Sequence, residues 1–366
     1  MAFIKKYITD TGENRFRVFW RSPDGQQKSK SFDRYTKARD YQTKLEHDLR
    51  EGSYVEPSKK TVRELLAEWF EIHKHKRGLE YRTIQSYEYN IKHINGVIGG
   101  KLVQRLTPGD IELMYKTLSG LSGKYKQGLH STLNLAFKYA IKTRLLSNNP
   151  CAAVDRPKKI KYQASFVHPD DVQKYLDLFS DAWIYPAVVI SMFCGLRRGE
   201  ISGLQWDDVN FKKGVITVRH SVVDIKGQRV LKKPKNNKTR TVNMPQGLVR
   251  CLKEYRKKQL EYQLLLGDEN YRKSNFVLTE DNGTVPAVSY ISRFFNRRIK
   301  SSDLPRVRFH DLRHTAASLM ILEGTDLKTV SEILGHSSIT ITADTYAHII
   351  DEAKKKAADN LEKYFL

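Results

Sequence analysis

Apolar and polar positions alternate along this chain in two rhythms, and the changes of rhythm mark its elements. In residues 14–22, Phe16, Val18 and Trp20 point one way and Arg15, Arg17 and Arg21 the other. That period of two predicts a half-buried strand with a basic outer face. Ser22-Pro23-Asp24-Gly25 supplies turn chemistry, and 28–32 read as the returning strand. Over 36–50 the period lengthens. Ala38, Tyr41 and Leu45 recur at helical spacing, with Thr36 as the expected N-cap.

Residues 51–61 form a polar break with Gly and Pro, read as a linker. Helical spacing then dominates. Val62, Leu65, Leu66, Trp69 and Phe70 make one stripe. A second helix spans 81–98 and stops at Gly99-Gly100; a third starts with Thr107 as N-cap and Pro108 in its first position; a fourth covers 125–146. The aromatic stripes here read as core. A second break, basic and Pro-bearing, covers 148–163. Beyond it come helices at 168–179 and 182–195, strands at 214–223, 228–233 and 239–245, and closing helices. The expected architecture is multidomain: a small α+β domain at 1–56, an all-α domain at 61–149, and a mainly α domain with a small antiparallel sheet at 164–366.

Charge narrows the partner. Lys plus Arg is 64 against 41 Asp plus Glu, a net charge of +23. Such an excess steers the chain toward an anionic partner, most simply DNA, and the arginine face near the N-terminus fits a DNA contact. No apolar run approaches membrane-spanning length, and the N-terminus lacks an apolar leader core, so the reading is a soluble cytoplasmic protein. The three cysteines, Cys151, Cys194 and Cys251, lie far apart without a CxxC pair, which supports neither disulfides nor a cysteine zinc site.

Four polar clusters in the last segment carry candidate chemistry. Gly195-Leu196-Arg197-Arg198-Gly199-Glu200 lies between apolar runs that would hold an arginine rigidly for bidentate phosphate binding. Lys233-Pro234-Lys235-Asn236-Asn237-Lys238 sits between two strand-like stretches and reads as a basic hairpin. In His310-Asp311-Leu312-Arg313-His314, His310 and Arg313 share a face at the start of a buried helix. The His310/His314 spacing suits zinc, but no Glu lies between them as in HExxH, and Arg313 would oppose a metal. Leu334-Gly335-His336 ends a short helix, and Tyr346 follows His336 by ten residues. Separately each cluster reads as surface or packing. Together they make a cationic cradle with no acidic cluster able to hold Mg²⁺. Such a cradle suits attack on a phosphodiester by a side-chain oxygen. A tyrosine hydroxyl, with a pKa of about 10, needs help to ionise.

In order and spacing, this set resembles the tyrosine recombinases, the phage-integrase family. The resemblance implies Tyr346 as nucleophile, with Arg197, His310, Arg313 and His336 on the phosphoryl group and Glu200 in support. It implies Lys235 as the catalytic lysine that protonates the leaving oxygen, with Lys233 and Lys238 as alternatives in register. It implies a 3′-phosphotyrosyl intermediate and no cofactor or metal. Four protomers would exchange strands of double-stranded DNA through a Holliday junction. The helical segment is similar to the family's core-site binding domain. The N-terminal segment is similar to the arm-site binding domain of prophage and conjugative-transposon integrases, which favours integration and excision of a mobile element. An accessory DNA-bending protein and an excision factor are further family expectations. The apolar steps of four after Tyr346 (Ile349, Ala353, Ala357, Leu361, Phe365) suit a tail packed on its own domain or docked on a neighbouring protomer. Two other classes share part of the signal: a type IB topoisomerase, which uses the same chemistry without sequence choice, and a non-enzymatic DNA-binding regulator, which needs none of the Arg/Lys/His/Tyr set.

Overall fold

The computed structural model describes residues 2–23, 25–158, 165–233 and 239–362, with side chains except at 76, 77, 348, 352, 353, 355–357 and 360–362. The chain divides into two compact units, Met1–Lys161 and Tyr162–Leu366.

The first unit opens with strands β1 (Phe3–Ile8), β2 (Asn14–Arg21) and β3 (Gln27–Phe32), antiparallel in the order β1-β2-β3. Helix α1 (Tyr35–Arg50) packs on one face. Alternation decides which face: Val18 and Trp20 are buried with Ala2, Ala38 and Leu45. The register puts Lys5 beside Arg17, Tyr7 beside Arg15 and Arg17 beside Ser31 on the opposite, basic face. Two expectations need correcting. The sequence reading missed β1. Thr36 lies within the first turn of α1, and Arg34, at the cap position, makes no side-chain cap bond.

The first break is fixed to the structure on both sides. Trp20 Nε1 donates to Tyr54 Oη at 3.1 Å, and Lys28 pairs with Glu56 at 2.6 Å. Gln104 donates to Glu56 O at 2.7 Å and accepts from Ser58 N at 2.9 Å. Four helices follow: α2 (Val62–Arg77), α3 (Tyr81–Val97), α4 (Pro108–Thr117) and α5 (Gly123–Lys142). Their core contains the expected stripe, Val62 to Phe70, with Ile94, Ile111, Met114, Leu133 and Phe137. Thr107 caps α4 through a box with Asp110, as its spacing predicts. Cys151 and Val154, in the second break, are tucked into this same core.

The second unit contains α6 (Val172–Phe179), α7 (Tyr185–Cys194), α8 (Arg198–Ser202), β4 (Val209–Asn210), β5 (Val215–Val218), β6 (Ser221–Ile225), β7 (Gln228–Lys232), β8 (Arg240–Asn243), α9 (Gln246–Asn270), α10 (Val288–Lys300), α11 (Asp311–Leu322), α12 (Leu327–Leu334) and α13 (Ile339–Glu362). Helix α7 is apolar all round and lies inside the core, and α11 packs along it. Helices α12 and α13 pack on α11 in turn. The mainly α class with antiparallel sheet is as expected. However, the strands form two sheets: β4-β5-β8 and β6-β7.

This overturns the expected hairpin between 228–233 and 239–245. β7 pairs with β6, and β8 pairs with β5. Burial explains the choice: Val242 of β8 joins Ile216 and Val218 of β5 in the core, whereas β7 leaves Leu231 exposed. The 214–223 stretch also splits at Arg219-His220, so that β5 and β6 serve different sheets. Among the described residues, no helix is long and apolar enough to cross a membrane.

Candidate active site

The end of α7 sets the first arginine. Gly195 turns the chain with φ 64°, a left-handed conformation that favours glycine, and a Cβ there would press on Leu334 Cδ2 at 2.5 Å. Arg197 then flanks the start of α8. Its backbone N–H donates to Glu200 Oε2 at 2.9 Å, its Nη1 to Glu200 Oε1 at 2.9 Å, and its Nη2 to the Gly335 carbonyl at 2.8 Å.

Two further guanidiniums reach the same helix end. Arg313, on α11, donates Nη1 to Gly195 O and Nη2 to Leu334 O, both at 2.6 Å. Arg240, the first residue of β8, donates Nε to Ile333 O at 2.8 Å. It also grips both Glu200 oxygens, at 3.0 and 2.7 Å. Three consecutive carbonyls at the C-terminus of α12 thus each receive an arginine. Such carbonyls lack intrahelical donors and carry the negative end of the helix dipole, so cations suit them. Gly335, at φ 65°, then turns the chain and delivers His336.

His336 Nδ1 hydrogen-bonds Thr342 Oγ1 at 2.8 Å, and Thr342 is fully buried. One turn further along α13, the helix is interrupted at Tyr346 (φ −112°, ψ 19°). The Tyr346 ring is only 1% exposed and packs among Ala317, Ile321, Val330, Leu334 and Ile349. Its hydroxyl lies 2.8 Å from His314 Nδ1. His310, exposed at the start of α11, meets the His314 ring edge-to-face at 5.3 Å.

The cage sets the charge states. Burial pushes the Glu200 carboxyl up, but the hydrogen bonds and charge of Arg240, then those of Arg197, outweigh it and bring it down to about 2. Burial and the neighbouring Arg197 lower Arg313, which remains a cation at neutral pH. Burial lowers His314 to about 4, with His310 adding to the effect. Burial lowers His336 to about 4 as well, helped by Arg313 and Arg197. Both rings are therefore neutral at pH 7. Burial raises the Tyr346 hydroxyl to about 12, against the pull of Arg313.

These shifts predict acid lability. In the unfolded chain a histidine titrates near 6.5, well above the folded value of about 4 for both rings. Between those values the unfolded state binds more protons, so stability falls as pH drops from about 6.5 to about 4. The loss is at most about 3 kcal/mol per histidine and smaller in practice, because both rings are only partly buried and solvent screens them. Glu200, depressed in the folded state, continues the loss as pH falls through its own folded value of about 2. Urea unfolding at pH 7 and pH 5 checks this. A His336→Gln variant should show a flatter pH slope, and an equal slope would contradict the assignment.

The structure brings Arg197, Glu200 and Arg313 to the end of α12, with His336 next in the chain and held by Thr342, and Tyr346 held by His314, whose ring meets His310 at the rim. Lys235 and the alternative Lys238 lie outside the described residues; Lys233 is exposed after β7. The sequence reading missed Arg240, gave His314 no role and passed over Thr342. Arg240 had a usable signal: it shares a strand face with buried Val242, and an arginine on an apolar face calls for a carboxylate partner. No group of three or more His, Cys, Asp or Glu able to hold a metal gathers among the described residues.

The chain is similar to known proteins in both sequence and fold. Residues 165–353 match the phage integrase family, and residues 61–119 match the phage integrase N-terminal SAM-like domain. A tyrosine recombinase XerC-like protein of Caldanaerobacter subterraneus subsp. tengcongensis is 29% identical over the full length of both chains. The ICEBs1 integrase of Bacillus subtilis is 30% identical over 77% of each chain. Among solved structures, the Tn1549 transposon integrase in complex with a circular intermediate DNA superposes with a TM-score of 0.70 at 22% identity, covering 82% of this chain and 99% of that one. A lambda integrase tetramer bound to a Holliday junction gives 0.60 at 20% identity, covering 93% of this chain and 94% of that one. The chain that carries this arginine cage and buried tyrosine belongs to the phage integrase family of tyrosine recombinases.

Proposed function

We propose that this chain is the recombinase of a mobile element, prophage or conjugative, which it integrates and excises by cutting and rejoining double-stranded DNA. The observation that carries this reading is the gathering of three separate sequence boxes, those of Arg197, Arg313 and Gly335-His336, at the end of α12, with the Tyr346 hydroxyl hydrogen-bonded to His314. Tyr346 Oη attacks the scissile phosphorus, a 3′-phosphotyrosyl bond forms, and the bond to the 5′-oxygen breaks. Arg197 and Arg313 neutralise the non-bridging oxygens, whose charge grows in the transition state, and His310 and His336 donate hydrogen bonds to them. Glu200 holds Arg197 in place. Lys235 gives the departing 5′-oxygen its proton. The phosphotyrosyl bond conserves the energy of the broken bond, so rejoining needs no ATP.

Residues 61–149 grip the core site, and residues 1–56 present the Lys5, Arg15 and Arg17 face of their sheet to an arm site. The functional particle is a homotetramer on DNA in the bacterial cytoplasm, assisted by a DNA-bending protein and an excision factor. The relatedness to the ICEBs1 integrase supports the mobile-element reading.

A nicked suicide duplex from the ends of the encoding element tests the proposal. A covalent adduct should form as well in EDTA as without it, and complete loss on chelation would point to a metal nuclease. Affinity for the site should fall linearly in log–log terms with salt, because phosphate contacts release counterions. Efficient relaxation of a plasmid lacking any attachment site would instead favour a topoisomerase.

A further inference from the structure

The reading above leaves one proton without a destination. Tyr346 must lose its phenolic proton as Oη bonds to phosphorus, and burial makes that harder. Of the three histidines in the cluster, only His314 touches the hydroxyl, at 2.8 Å through Nδ1. His336 has its Nδ1 on Thr342, and His310 meets the cluster through the edge of the His314 ring.

We propose that His314 is a further catalytic residue of the reaction under "Proposed function", on which this inference rests: it takes the phenolic proton of Tyr346 during cleavage and returns it during rejoining. In the forward step the Oη–H bond breaks as the Oη–P bond forms, the proton passes to Nδ1, and the P–O5′ bond breaks with its electron pair on oxygen. Rejoining runs the same transfers backwards, so no further reactant is needed.

Position and surroundings both support the role. His310 is the N-cap residue of α11 and His314 lies one helical turn further in, so His314 sits deeper than the exposed His310, where the Tyr346 ring comes in from α13. The charged and titratable groups acting on His314 are His310, Asp311, Arg313 and Arg308 from α11 and the loop before it; Tyr346 meets it from α13, and His336 is coupled to it from beyond α12. At neutral pH the ring is uncharged, and with its proton on Nε2 the Nδ1 facing the hydroxyl can accept. An arriving phosphate brings negative charge, which favours the imidazolium formed on proton transfer.

Pinning the tyrosine is the rival role for His314, and glutamine separates the two: its amide can hold a hydrogen bond to the hydroxyl but cannot take the proton. The measurement is single-turnover cleavage of the nicked suicide duplex by excess full-length wild-type, His314→Gln and His314→Ala proteins, with thermal midpoint and site affinity determined alongside. His314→Gln is expected to cleave about 10²-fold more slowly with unchanged affinity, the usual scale of a lost general base. Added imidazole should speed His314→Ala, and this arm decides the matter if the glutamine variant does not fold. A bridging 5′-phosphorothiolate substrate should leave the His314→Gln defect in place, because its leaving group needs no proton while the nucleophile still has one to lose. Cleavage by His314→Gln at the wild-type rate overturns the proposal. So does a His314→Ala that imidazole does not help, which would make His314 a positioning residue, or a defect that the phosphorothiolate removes. Failure of the wild-type protein to form any adduct would count instead against the recombinase reading.

Discussion

Replacing Tyr346 by phenylalanine is expected to abolish the covalent protein–DNA adduct while leaving site binding intact. The substitution removes one oxygen from a ring that is 1% exposed, so the packing against Ala317, Val330 and Leu334 survives. The cost to stability is a single hydrogen bond to His314, about 1 kcal/mol. The cost to chemistry is total, because phenylalanine offers no atom able to bond to phosphorus. A nicked suicide duplex with an end label reads both quantities, adduct on a denaturing gel and complex on a native one. An adduct of undiminished yield would move the nucleophile elsewhere.

Arg240→Met should be strongly damaging, although Arg240 has none of the six proposed catalytic roles. Arg240 grips both oxygens of Glu200, which is 3% exposed, and also satisfies Ile333 O. Methionine keeps much of the volume but leaves a buried carboxylate with Arg197 as its remaining partner and a helix-end carbonyl unmet. Breaking a buried pair from one side typically costs about 3–5 kcal/mol. Cleavage should fall too, because Arg197 and the end of α12 lose their common anchor. Urea unfolding measures the first effect and single-turnover cleavage the second. Adding Glu200→Gln removes the stranded charge, so the double variant should be more stable than additive losses predict. Strict additivity would mean that the pair does not act as a unit.

How much of this was legible in the sequence depended on the range of the interactions involved. The stripe from Val62 to Phe70 and the cap at Thr107 follow from neighbours within a turn or two, and the structure has them as read. Strand pairing is set by partners far along the chain. Local letters therefore suggested one hairpin where β7 and β8 in fact choose β6 and β5. The candidate site shows the same division. Arg197, Arg313, His336 and Tyr346 were found from motif order, but motif order does not reveal who holds whom. The three arginines on the end of α12, and His314 on Tyr346, join residues between 21 and 138 positions apart, apart from the short link between Arg197 and Glu200. Only the fold brings them together.

The account stands on Tyr346 becoming covalently joined to DNA. Trapping the adduct on a suicide duplex, digesting both protein and DNA, and locating the nucleotide-bearing residue by mass spectrometry tests this most directly. A nucleotide attached through its 3′-phosphate to the peptide containing Tyr346 is the predicted result. The same mass on any other residue, or a 5′-linked nucleotide, would contradict it.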